Sequence, residues 1–242
     1  MHKGHLARAL IVAGLLTAFV ACEEDVPLQT ETKVIPAGEA KSADVTLNMG
    51  AGRLSLEGGA AQLFEGTFRF RRERYRPEFD YHVVAERGEL VVRHRRRLGF
   101  FNSGRNTWEI RLHDGLPISL KVNLGAGESD IDLRRVNLER LDIDMGVGEM
   151  TLDLRGALTK DCKVSIDGGV GSGRIYLPTD VGVRVHVDGG LGSIHADGLV
   201  KNGDYYVNDA YGRAPVTLDV RVDAGIGSLE LRATGGKTGR SI

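Results

Sequence analysis

Two cysteines in 242 residues exclude a fold stapled by several disulfides, so stability has to come from packing. Aromatic residues are equally scarce at 6%, which points to a core built from aliphatic side chains. No strong excess of charge exists either. The formal net charge is −1, and that balance gives no overall basic signal for nucleic acid. The main uninterrupted apolar run, residues 9–21 at the amino end, is shorter than the roughly 20 residues that span a bilayer. What the chain has in plenty is glycine, 33 residues, and glycine on this scale implies many tight turns.

The amino-terminal segment MHKGHLARALIVAGLLTAFVAC carries Lys3 and Arg8 ahead of the apolar run, the layout of a secretory signal peptide. It ends in Phe19-Val20-Ala21-Cys22, which resembles the bacterial lipobox with Phe19 in place of the usual aliphatic residue. Lipidation of Cys22 is therefore expected, with export and anchoring to a bacterial membrane, facing periplasm or exterior. Buried acyl methylenes contribute about 0.8 kcal/mol each to such an anchor. Cys162 then remains as a lone thiol, expected to be a small buried hydrophobe.

The glycines fall into six copies of one phrase: LNMGAG, VNLGAG, IDMGVG, IDGGVG, VDGGLG and VDAGIG, beginning at Leu47, Val122, Ile143, Ile166, Val187 and Val222. From Gly125 the steps to Gly146, Gly169 and Gly190 are 21, 23 and 21 residues, and the last, to Gly225, is 35. Flanks such as Leu120, Val122, Leu124 and Val183, Val185, Val187 alternate with polar residues, the period of a strand buried on one face. A short period with strand composition predicts an all-β, single-chain β-solenoid of parallel β-helix-like coils, about 21 residues each, stacked in sequence order. Two strands of about five residues and a shorter third would make one coil.

Within the phrase, the residue before the first glycine runs Met49, Leu124, Met145, Gly168, Gly189, Ala224, and the residue between the glycines runs Ala51, Ala126, Val147, Val170, Leu191, Ile226. Large pairs with small, as expected if both fill the same corner of a coil. The aspartates Asp144, Asp167, Asp188 and Asp223 face outward by parity and would stack about 4.8 Å apart. They either bond turn amides or hold a cation. Their carboxylates precede the glycines and the period differs from calcium-binding nonapeptide repeats, so calcium is a subsidiary reading and no cofactor is assigned.

Between the first two copies lies a different segment. Its alternating stretches and turn signals predict an N-terminal antiparallel β-meander. Residues 69–111 hold twelve arginines against six acidic residues, while residues 118–233 hold 13 basic and 18 acidic ones. Arg69, Arg71, Arg93, Arg95 and Arg97 are candidates for contact with an anionic envelope surface or an envelope protein, against a plain solvated face. The long final step adds a segment with Tyr205, Tyr206 and Tyr211, which suits protein recognition or a flap over an open coil. The expected organisation is residues 1–22 signal peptide, 23–41 tether, 42–117 Arg-rich meander, 118–233 glycine-cornered solenoid and 234–242 disordered tail.

With NTWEIRLHDGLPISLKVNLGAGESDIDL, the repeated Gly-apolar-Gly turns and YVNDAYGRAPVTLDV on the page, the chain resembles the bacterial toast-rack proteins, related to the C-terminal domain of the cell-wall-active antibiotic response family. The resemblance spans roughly residues 42–232 and implies a β-rich envelope domain with no enzymatic activity and no catalytic residues to transfer. Some relatives restrain a membrane sensor kinase; they carry transmembrane helices, so that role does not carry over. The reading is a non-catalytic, membrane-anchored envelope lipoprotein that binds or scaffolds, or serves envelope stress. The alternative is a carbohydrate-active or metal-dependent β-helix enzyme or an adhesin. Of the outward columns searched for grouped carboxylates, only Asp132 and Asp153 stand close, with Arg134, Arg135 and Arg155 near enough in sequence to neutralise them.

Overall fold

The computed structural model describes residues 27–94, 106–190 and 192–234. Cys22, Arg95, Arg97 and Leu191 lie outside the described residues, as does the side chain of Ile226. Among the described residues there are fourteen strands, one 3-10 turn (Glu73–Tyr75) and no α-helix.

The strands are β1 (Gln29–Ile35), β2 (Ser42–Ala60), β3 (Phe64–Phe70), β4 (Pro77–Val84), β5 (Arg87–His94), β6 (Thr107–His113) and β7 (Ile118–Asp132). They continue with β8 (Leu138–Asp153), β9 (Cys162–Tyr176), β10 (Gly182–Gly189), β11 (Gly192–Asp197), β12 (Val200–Asn202), β13 (Tyr205–Val207) and β14 (Thr217–Arg232). One sheet runs β1-β3-β6-β2-β7-β8-β9-β14-β10-β13-β12, with β5 on β2, β4 on β5, and β11 on β14.

Five of the six glycine phrases each lie inside one long strand, and the phrase beginning at Val187 runs from the end of β10 to the start of β11. In β7 the buried positions are Ile118, Leu120, Val122 and Leu124 before the glycine pair, and Ser129, Ile131 and then Leu133 after it. The buried parity changes across Gly125–Gly127, yet apolar residues from both halves belong to one core. A straight strand would send its second half to the opposite face, so the strand bends around the core at its glycines. A repeat such as β7 or β8 is therefore one long strand bent at its glycines, where the sequence pattern predicts two strands plus a third.

Backbone proximity explains the glycines. Gly148 has φ +149°, and a Cβ there would lie 1.8 Å from the carbonyl oxygen of Gly127 in the neighbouring strand. At Gly146 the corresponding distance, to the Gly125 oxygen, is 2.3 Å. The corners stack backbone on backbone, and only glycine fits.

Three further expectations need correction. The large–small exchange does not fill one corner: Met145 is 7% exposed in the core, whereas Val147 and Val170 are 54% and 48% exposed. The two positions of the phrase face opposite ways. The segment before β7 is not a simple meander, because β5 pairs in parallel with the first half of β2 and β6 in parallel with its second half. The β4–β5 hairpin extends one half, and β6, β3 and β1 extend the other through antiparallel pairs. One edge of β2 is taken by β7, and the inserted strands cover the other edge in two halves.

Stacking also departs from sequence order. β14 sits between β9 and β10, in parallel with both, so the sixth copy lies between the fourth and fifth. The connection from β11 to β14 contains the β12–β13 hairpin, which pairs beyond β10. That hairpin occupies the place sequence order would have given the next coil. Its anchor is buried Asn208, whose Oδ1 accepts the Val183 N–H at 2.9 Å and whose Nδ2 donates to the carbonyls of Val181 (2.8 Å) and Pro178 (3.3 Å).

Aromatic side chains concentrate at the other end. Trp108 is 5.4 Å from Phe68 and 5.0 Å from His94, ring centre to ring centre, and Phe68 meets Phe79 at 5.2 Å. The glycine coils are filled by Leu, Ile, Val and Met, each large apolar side chain contributing about 1.5–3 kcal/mol by its burial.

Candidate functional site

The pair Asp132 and Asp153 is adjacent, as expected, in the β7–β8 ladder. Each begins an Asp-Leu-Arg turn. Asp132 Oδ1 accepts the backbone N–H of Arg134 at 3.0 Å and its Nε–H at 2.9 Å; Asp153 Oδ1 accepts from Arg155 at 3.1 and 2.9 Å in the same way. Hydrogen bonds from Arg134 hold the Asp132 carboxyl below the usual carboxylate range. Proton transfer near neutrality needs a carboxyl raised toward the working pH, and this environment acts the other way. Arg135 turns instead to Asp114, at 2.6 Å.

The outward aspartates form a ladder in the order Asp144, Asp167, Asp223, Asp188, not in sequence order, because β14 is interposed. It continues at the other end as Asn123 and Asn48, joined by a 2.6 Å hydrogen bond between their amides. All four aspartates are exposed, and only Asp188 has a close cation, Arg221 at 3.7 Å. Among the described residues no group of three or more His, Cys, Asp or Glu side chains is placed to hold a metal ion.

Among the described arginines of the candidate basic surface, Arg69 and Arg93 lie on separate strands that do not pair, and Arg71 follows the end of β3. Arg69, on β3, bonds Glu109, and Arg93, on β5, lies 3.3 Å from Glu78. Arg71 also has a partner. β3 and β5 extend different halves of β2, so these side chains do not form one row.

The tyrosines divide. Tyr206 packs against the core. Tyr205 is 37% exposed and lies 5.4 Å from the His186 ring and 5.4 Å from the Arg184 guanidinium. Tyr211 bonds Arg184 at 3.4 Å.

Beside Tyr205 the structure forms a groove that sequence reading missed. About 290 Å³ in volume, it crosses β8, β9, β14 and β10 and is lined by Arg140, Asp142, Lys163, Ser165, Arg221 and Arg184, among others. Ser165 is the small residue in a row of long ones, facing Asp142 on β8 and Arg221 on β14. In sequence order its neighbour would have been His186; the interposed β14 replaces that ring with a guanidinium.

Two other groups answer questions of reactivity. Cys162 is buried, and burial pushes its thiol up to about 11, which makes it unreactive. His94 is also buried, accepts the Gly50 N–H through Nδ1 at 3.2 Å, and is driven down to about 4 by desolvation.

Long parallel strands bent at paired glycines, one shared core and an outer face of paired charges define an all-β repeat-like domain. Comparison with known proteins gives it a family. The N-terminal domain of toast_rack (DUF2154) matches residues 24–176, more than half of the chain, and the chain belongs to the toast-rack family. Residues 126–231 match the cell wall-active antibiotics response LiaF C-terminal family. A candidate cell adhesion protein from Clostridium sporogenes is 32% identical, with a TM-score of 0.82, covering 86% of this chain and 100% of its own. A candidate adhesin from Bacteroides fragilis (10% identity, TM-score 0.30, 85% and 97% covered) and one from Parabacteroides merdae (13%, 0.27, 86% and 97%) are too distant to support an argument. No curated protein matches significantly. Among the described residues no helix is long and apolar enough to cross a membrane.

Proposed function

We propose that this toast-rack protein is a non-catalytic binding module of the bacterial envelope, exported by its leader and anchored through a lipid on Cys22. The observation that carries the non-catalytic reading is the neutralisation of Asp132 and Asp153 by Arg134 and Arg155. The adjacent carboxylates that a polysaccharide-cleaving site would use are hydrogen-bond acceptors of their own turns. The family relation and the similarity to a candidate adhesion protein support an envelope role.

Two measurements test it. Cys22→Ala moves the protein from the membrane fraction to the soluble fraction and abolishes globomycin-sensitive maturation; unchanged maturation overturns the anchor. Incubation with isolated wall polysaccharide leaves chain length unchanged; cleavage that disappears in Asp132→Asn overturns the non-catalytic reading.

A further inference from the structure

We infer that the groove over Ser165 binds a linear anionic glycan laid across the strands. Four adjacent strands each contribute one cation: Arg140 from β8, Lys163 from β9, Arg221 from β14 and Arg184 from β10. They fall in two neighbouring register rows about 7 Å apart: Arg140, Lys163 and Arg184 lie in one, with Asp219 between Lys163 and Arg184, and Arg221 lies in the next, beside Ser165. The groove's own acceptors are already engaged, because Asp142 takes Arg140 at 2.7 Å and Asp219 takes Arg184 at 2.6 Å. The donors at its centre are not. Lys163 makes no ion pair with a described residue, Arg221 has only the loose contact with exposed Asp188 at 3.7 Å, and the Ser165 hydroxyl lies on the floor between them. Spare donors facing engaged acceptors call for an acceptor-rich ligand, and guanidinium and ammonium groups suit carboxylate or phosphate.

The surroundings fix the direction. The aspartate ladder lies two residues beyond the Ser165–Arg221 row, about 7 Å away, and four residues beyond the Lys163 row, and would repel a polyanion that ran along the strands. A chain crossing them, parallel to the ladder, keeps its anions over the cations and ends against Tyr205 and His186. These rings, 5.4 Å apart, give a sugar unit an apolar edge with polar tips. Lys163 and Arg221 are both exposed, so a ligand reaches them without rearrangement.

This inference rests on the envelope-binding reading above. The test uses full-length Cys22→Ala protein and measures binding to polygalacturonate, phosphomannan and neutral dextran, alongside cosedimentation with isolated envelopes. Expected are binding to one of the two polyanions but not to dextran, and at least tenfold weaker binding by Lys163→Ala/Arg221→Ala and by Ser165→Glu. Lys163→Arg/Arg221→Lys, which keeps both charges, should restore most of it, and Arg69→Ala/Arg93→Ala should bind as the parent does. Preference for polygalacturonate names carboxylate as the anion, and preference for phosphomannan names phosphate. Equal binding by the double alanine variant overturns the groove. Cosedimentation with envelopes without binding to either polymer overturns the glycan but leaves the binding module standing; loss of both overturns both.

Discussion

His94 is the residue at which protonation and folding are most directly linked. Its folded value is near 4 because burial disfavours the imidazolium, while an unfolded histidine titrates near 6.5. Between those values the unfolded chain binds a proton that the folded chain does not. The stability that neutral His94 provides is thus complete above pH 6.5 and is lost as pH falls toward 4, by about 3 kcal/mol in total. Urea denaturation at pH 7.5, 5.5 and 4 should show this fall in the parent, and a smaller one in His94→Gln. The glycines provide a second test at the same scale. Gly148→Ala should cost about 3 kcal/mol or more, since its Cβ meets backbone that cannot move away and φ is left-handed. Gly168→Ala meets nothing within 4 Å and should be neutral or stabilising by about 0.4–1 kcal/mol through the unfolded state. Thermal unfolding of the pair checks both signs.

Among the elements, the β12–β13 hairpin depends on one side chain. Asn208→Ala strands the Val183 amide and the Val181 and Pro178 carbonyls, at an expected cost of about 2–4 kcal/mol. Hydrogen exchange should locate the loss in β10 and β13 rather than in β7 or β8. The strands themselves were legible from alternation: of the inward set Leu120, Val122, Leu124 and Val183, Val185, Val187, all are buried as read except Val187, which is half-buried against the core. The corner was legible as a glycine requirement, but its cause was only half visible. A φ preference is a property of one residue, whereas the 1.8 Å approach of Gly148 to the Gly127 carbonyl exists only once two coils are stacked. The candidate sites were less legible. Alternation places Arg69 and Arg93 outward, yet cannot say that different halves of β2 carry them, nor that glutamates on neighbouring strands pair with them.

For the whole molecule, the interposition of β14 has a mechanical consequence. In an array stacked in sequence order, removing the last coil trims one end and leaves the other interfaces intact. Here the last strand holds β9 to β10 and β11. A chain ending at Ala214 should therefore lose amide protection throughout β10 and β11 and expose β9 as an edge prone to association, which hydrogen exchange and light scattering would register. Retained protection in β10 would show that β10 can close on β9 directly.

The sequence by itself determined an all-β chain, the glycine requirement at the corners, the alternation of the strand halves that flank them and the burial of Cys162, because these follow from side-chain period, backbone freedom and the nearest covalent neighbours. It also placed Arg134, Arg135 and Arg155 near Asp132 and Asp153, while the structure assigned Arg134 and Arg155 to them and Arg135 to Asp114. Only the tertiary structure decided which copy lies beside which, and with that the order of the aspartate ladder and the meeting of Arg221 with Ser165. The six phrases are nearly interchangeable as partners, so their local patterns do not encode the order. It is set by where the β12–β13 hairpin packs, through contacts such as Asn208 with Val181 and Val183 that are separated by about twenty-five residues.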